Sequence, residues 1–142
     1  MSLNPTQYFR RLRMQMPQLK AEILAKVVAV EAAKFHHENF RAQAWSETEQ
    51  SWQPRKDGDT SRSLLVKSGR LRRAATAGRT TATTVDFVLP IYGKVHNSGM
   101  RAGRGGGFQM PRRQFAGQSR ILKNRFKTKA QIIIKRRLNN LY

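Results

Sequence analysis

The chain has 142 residues, with 28 Lys or Arg against 8 Asp or Glu and no Cys. That length suits one domain with a modest core, and the net charge of +20 calls for an anionic partner: nucleic acid, a membrane surface or an acidic protein. The missing Cys excludes disulfides, thiolate nucleophiles and thiolate zinc sites. No apolar run nears the roughly 18 residues that span a bilayer, and Met1 to Phe9 lack the basic start and apolar core of a secretory signal. No membrane partner is expected.

The charge is uneven. All eight acids lie between Glu22 and Asp86, and residues 87–142 hold thirteen bases and no acid. This last segment cannot neutralise itself, so it must meet water, salt, an acidic patch or phosphate.

In chain order, Asn4-Pro5 is a helix start, with Asn as cap and Pro in the first turn. The expected helix ends near Gln15, before Pro17, which makes residues 1–16 an N-terminal arm or short helix. Pro17 then opens a second helix reaching about Ala44. Leu19, Ile23, Val27 and Val30 mark its apolar stripe, and Leu24, Val28 and Phe35 widen it, so two sides bury surface. Ala44 to Ser63 reads as a loop with two Trp and the turn Asp57-Gly58-Asp59. Leu64, Leu65 and Leu71 form a short helical turn broken at Ser68-Gly69. Alternation over Thr83, Val85, Phe87 and Leu89 predicts a strand, paired with Arg72–Thr76 across a turn at Ala77-Gly78-Arg79. Ile91 to His96 is a further strand or turn. Gly99 to Gly107 holds five Gly in nine residues, with Arg101 and Arg104, and reads as a flexible loop or long hairpin tip. Ser119 caps a last helix, apolar at Leu122, Phe126, Ala130, Ile133, Leu138 and Leu141 and basic over most of the remainder. The result is a single α+β domain over 1–142: a long N-terminal helix packed on a small antiparallel sheet, with a basic C-terminal helix.

Chemistry is sparse in this sequence. His36 and His37 point about 100° apart on a helix and do not share a metal easily. Asp86 with His96 is the one acid–base pairing the hairpin would allow. Gly103 to Gly107 lacks the GK[ST] ending of a phosphate loop, and no helix start follows to supply aligned amides. No catalytic residue, cofactor or metal is expected. A basic helix with one apolar stripe suits phosphate backbones, anionic membranes or an acidic protein groove.

Four strings occur in order: Trp52-Gln53-Pro54-Arg55-Lys56, then Leu64 to Arg72 (LLVKSGRLR), then Ile91 to Gly99 (IYGKVHNSG), then Met110 to Gly117 (MPRRQFAG). Together they resemble the bacteriophage virion-morphogenesis, or tail-completion, family, over about half the chain. Two departures stand out. Arg112-Arg113-Gln114-Phe115 replaces a pattern of one Arg, then Pro or Leu, then Phe. The closing helix is basic where the family's is often acidic.

The resemblance implies a non-enzymatic structural protein of the phage neck, located in the virion after assembly in the host cytoplasm. It would form a homo-oligomeric ring around the DNA channel, of six subunits or alternatively twelve, between head-connector and tail proteins. Trp52 and Pro54 would anchor the loop, with Leu71 in the same pattern. Gly69 and Gly99 would take positive φ, and Tyr92 and His96 would bond to backbone near the turn. Pro111, Arg112 and Phe115 would pin the return to the last helix. Arg101 and Arg104 would meet a neighbouring subunit. Lys123, Lys127, Arg136 and Arg137 would face an acidic connector or tail protein, with DNA as the other anion within reach. A basic nucleic-acid-binding module is the alternative.

Overall fold

The computed structural model describes residues 4–141; Met1 to Leu3 of the expected N-terminal arm, and Tyr142, lie outside them. The architecture is α+β, with a long N-terminal helical rod, small antiparallel ladders and a basic C-terminal helix.

The rod corrects the expected break at Pro17. Helix α1 runs Pro5–Ile23 with Pro17 inside it, and a π-helical segment, Leu24–Val28, leads into α2, Ala29–Ala42. The start is as read: Asn4 Oδ1 accepts from the Gln7 N–H at 2.9 Å. Pro17 removes one helical donor, but Arg13, whose carbonyl loses it, and Pro17 itself are both exposed, so water can take the donor's place. The expected arm at residues 5–16 is therefore the first half of α1.

The π turn has a visible consequence. Leu19, Ile23, Val27, Glu31, Phe35 and Asn39 are spaced by four and are all buried or half-buried. With 3.6 residues per turn, a strict four-residue step drifts around an α-helix. The wider turn, in which Ala29 N–H reaches back to the Leu24 carbonyl, resets the phase and keeps this row facing inward.

The expected strand at Arg72–Thr76 is a helix, α3, Arg70–Thr76. Leu, Arg and Ala are strong helix formers, and Leu71 and Ala75, one turn apart, are the residues it buries. Ile91 to His96 likewise belongs to a helix, α4, Ile91–Ser98, rather than a strand. Between them lies a two-residue ladder, β3 (Arg79–Thr80) with β4 (Val85–Asp86), in register Arg79↔Asp86. Two further ladders join β1 (Ala44–Trp45) to β2 (Gln50–Ser51) and β5 (Arg101–Ala102) to β6 (Phe108–Gln109). The glycine-rich stretch is thus a hairpin tip between β5 and β6.

Helix α5, Arg120–Asn139, is capped by Ser119 as read. It lies antiparallel along the rod, because Glu22, Glu31 and Glu38 meet Arg137, Lys129 and Arg125 in reverse order. The core has two parts on two sides of α2. Phe40, Trp52, Leu64, Leu71, Ala75 and Phe115 form one, and Ala32, Phe35, Trp45 and Leu122 the other. Edge-on rings hold each part: Phe40 to Trp52 at 5.6 Å and 89°, and Phe35 to Trp45 at 5.4 Å and 82°. Such pairs contribute about 0.5–1.5 kcal/mol each beyond area burial.

Candidate functional site

The four strings converge. Trp52, Leu71 and Phe115 sit in one core, and Trp52 Nε1 donates to the Gln114 carbonyl at 2.8 Å. Gly69 precedes α3 with φ +71°, and Gly99 ends α4 with φ +67°. A Cβ on Gly99 would lie 2.9 Å from Arg112 Cβ, so the fourth string runs directly over the end of the third. Asn97 stitches them together: its Oδ1 accepts from the N–H of Phe115 and of Ala116, and its Nδ2 donates to the Ala116 carbonyl.

Several expected roles move. The Tyr92 side chain is exposed and makes no hydrogen bond among the described residues. Nδ1 of His96 is buried without a partner; it is the backbone carbonyl of His96 that accepts, from Arg113 N–H at 2.8 Å. Burial, and then the charge of Arg113, hold the His96 imidazole below its ordinary value. Pro54 is exposed, and its carbonyl takes an Arg113 N–H at 3.2 Å. The pattern's single Arg was read as Arg112, which is exposed and bonds Gln114 Oε1 at 2.5 Å. Arg113 is the buried one, with Nε donating to the Gln53 carbonyl at 2.9 Å. Pro111 is half-buried.

Asp86 accepts from the Thr84 hydroxyl, and no bond joins it to His96. His36 is buried, with Nδ1 2.7 Å from the Ala75 carbonyl and its ring edge-on to Phe87. Desolvation holds its pKa below the usual histidine value, against the bond to Ala75. Among the described residues no three His, Asp or Glu side chains cluster as metal ligands, and no helix is long and apolar enough to cross a membrane.

The basic helix is partly neutralised from within the fold. Four of its eight bases, Arg120, Arg125, Lys129 and Arg137, pair with Glu47, Glu38, Glu31 and Glu22. Charge counting along the sequence missed this, because the partners lie 73 to 115 positions apart. Glu31 is the buried member, 4% exposed. Burial pushes its carboxyl up, but the Lys129 ammonium at 2.6 Å, with Lys34 and Arg125, brings it below the ordinary carboxylate value. Glu47 sits at the start of α5 and accepts from the Ser119 hydroxyl and Ile121 N–H, where the helix dipole favours an anion. Arg137 is therefore engaged by Glu22. Lys123, Lys127 and Arg136 are exposed and have no ion pair among the described residues, as is the case for Lys135. Arg101 closes its own hairpin on the Gly106 carbonyl at 2.6 Å, whereas Arg104 is exposed at the tip.

No protein-family model, curated protein or solved structure matches the chain.

Proposed function

We propose that the chain is a non-enzymatic structural protein of a bacteriophage neck, completing the tail and joining it to the head connector. On this reading it acts in the virion as a homo-oligomeric ring around the DNA channel. The observation that supports it is the convergence of the four strings: Trp52, Leu64, Leu71 and Phe115 meet in one core, Gly69 and Gly99 sit at helix ends, and Asn97 ties the third string to the fourth. These are framing roles that rigidify a subunit, and none asks for a reacting group. The open bases Lys123, Lys127 and Arg136 then meet acidic connector or tail proteins. A DNA passage lined with dense Lys and Arg would hold phosphate and slow ejection.

The basic nucleic-acid-binding module remains the second reading, favoured by those same unpaired bases of α5. Native mass spectrometry and negative-stain microscopy of the purified chain separate the two. Rings of six, or of twelve, are expected. A monomer at every concentration, binding duplex DNA with a steep salt dependence, would replace the first reading with the second.

A further inference from the structure

A cavity of about 440 Å³ opens between the 62–71 segment and α4. Arg55 and Arg113 line it with His96 and the exposed cations Arg62, Lys67 and Arg70, and Leu64, Leu65 and Leu71 supply its apolar lining. Arg113 is buried yet has no carboxylate partner among the described residues; its Nε and one terminal nitrogen donate to the Gln53 and Pro54 carbonyls. Arg55 likewise spends three N–H groups on the carbonyls of Asp59, Arg62 and Ser63. A guanidinium carries five donors, so three on Arg113 and two on Arg55 are left over. Each cation also sits in the other's field: burial and then Arg55 lower the Arg113 pKa. Asp59, the acid whose charge Arg55 and Arg62 do reach, lines no part of the cavity and accepts from Ser61 N–H.

Arg113 is thus a buried cation with a second guanidinium in its field and no carboxylate partner among the described residues, an arrangement that is costly unless something fills the role. A second feature marks the same wall. Leu65 has φ +60°, a conformation rarely adopted by a leucine, and such strain concentrates at ligand clamps. The exposed Tyr92 ring and His96, whose buried Nδ1 has no hydrogen-bond partner among the described residues, also line the cavity.

We propose that this cavity is an acceptor site for an acidic peptide segment of a partner protein, which seats a Glu or Asp carboxylate between Arg55 and Arg113. A neighbouring aliphatic side chain of that segment lies against Leu64, Leu65 and Leu71. Guanidinium groups bind carboxylates in a two-pronged geometry suited to this pocket. Nucleic-acid strands instead track along extended charged grooves with repeated phosphate contacts, whereas here the cations ring one cleft that also carries the aliphatic Leu64, Leu65 and Leu71. The site stands whether or not the chain assembles in a phage neck.

The probe is a capped Leu-Glu-Leu-Asp-Leu peptide, its neutral Leu-Gln-Leu-Asn-Leu analogue, and a ten-residue oligo-dT, each titrated by calorimetry and by side-chain NMR of Arg113 Nε–H and the His96 ring. The acidic peptide should bind at least tenfold tighter than the neutral one and move both signals. Arg113→Gln should remove that preference. Because Arg113 also braces the 53–54 backbone, a second variant, Arg62→Ala with Lys67→Ala, changes only exposed cations at the cavity and should weaken binding severalfold without shifting Tm. Reversal of Lys123, Lys127 and Arg136 to Glu should leave the Arg113 and His96 shifts intact. Equal binding of the two peptides, or shifts confined to α5, would overturn the proposal, and oligo-dT moving the same two signals would assign the site to nucleic acid instead.

Discussion

Replacing Asn39 tests whether one buried amide holds the fourth string to the helical rod. Asn39 is fully buried. Its Nδ2 donates to the Phe115 carbonyl at 3.0 Å, and its Oδ1 accepts from Ser46 N–H at 3.1 Å and Ser46 Oγ at 2.5 Å. Each bond contributes about 1 kcal/mol net, and each buried partner left unpaired costs about 1–3 kcal/mol. Asn39→Ala strands the Phe115 carbonyl and the Ser46 amide together, so a loss of about 3–5 kcal/mol is expected. That is a large share of the roughly 5–15 kcal/mol of a typical domain. Urea unfolding should show the midpoint fall with an unchanged slope. Asn39→Asp is the sharper probe. One carboxylate oxygen still serves Ser46, but the other faces the Phe115 carbonyl oxygen, acceptor against acceptor. The folded state then favours the protonated acid, which can donate to that carbonyl, so the folded pKa rises above the unfolded value near 3.9. The sign follows by linkage: relative to the parent at the same pH, the deficit is smallest below about pH 4 and grows as pH rises through the raised pKa. A loss under about 1 kcal/mol for Asn39→Ala, or a pH-independent deficit for Asn39→Asp, would refute the reasoning.

Stability should fall on acidification in two stages. His36 and His96 have lowered pKa values in the fold, so between about pH 6.5 and their folded pKa the unfolded chain takes up protons that the native one refuses, and stability drops; His36→Gln should flatten most of this first slope in pH-dependent denaturation. Glu22, Glu31 and Glu47, also lowered, lose their contribution at lower pH, as the medium passes below about 4.3 and through their folded values. Gly99→Ala should cost at least about 1–2 kcal/mol, since φ is +67° and the new Cβ meets Arg112, whereas Gly106→Ala, with open space and no positive φ, should be neutral or slightly stabilising; equal thermal midpoints for the two variants would count against this. Amide exchange at Gly103 to Gly107 should be fast in the free chain and slow in an assembled ring, and equal rates would deny the tip a partner.

The sequence was most readable where local chemistry decides structure. Asn4-Pro5 and Ser119 cap the helices assigned to them, and Leu19, Val27 and Phe35 of the predicted stripe are buried, whereas Val30 is exposed and Phe40, outside the stripe, is the α2 residue of the other core. It was least readable where tertiary contacts override local cues. Pro17 signals a break, but one lost hydrogen bond on an exposed turn is tolerated when Leu19 and Val27 anchor the rod beyond it. At Arg72–Thr76 the neighbouring Thr-rich stretch drew the reading toward a strand, although Leu71 and Ala75 already had helical spacing. Within the candidate site, Trp52, Leu71 and Phe115 were found as pattern residues, but Asn39, Asn97 and Arg113 were not. Their importance lies in carbonyls and amides they reach up to 76 positions away, which no spacing rule encodes. The available signal for Arg113 was its place beside Arg112, where either could fill the pattern's Arg.

The ion pairs along α5 bear on what its charge can do. Exposed pairs such as Arg120 with Glu47 contribute little to stability in salt, so the ladder is better understood as sorting the helix's bases into a paired and an unpaired set. Arg120, Arg125, Lys129 and Arg137 pair with acids of the same chain, and Lys123, Lys127, Lys135 and Arg136 are exposed with no ion pair among the described residues. The two sets should respond differently to charge reversal. Arg137→Glu places a carboxylate against Glu22, whose own oxygen now lies 2.6 Å from the guanidinium, so it should lower the thermal midpoint, and the loss should shrink in salt as the repulsion is screened. Reversal of Lys123, Lys127 and Arg136 removes no internal partner and should leave the midpoint unchanged or slightly higher, because it relieves repulsion among like charges. Any anionic partner of this helix should then be lost from the triple variant and largely kept by Arg137→Glu at a temperature where both are folded. The opposite partition, with binding lost through Arg137 and folding lost through the triple reversal, would mean that the two sets are assigned the wrong way round and that Glu22 shares its arginine with the partner.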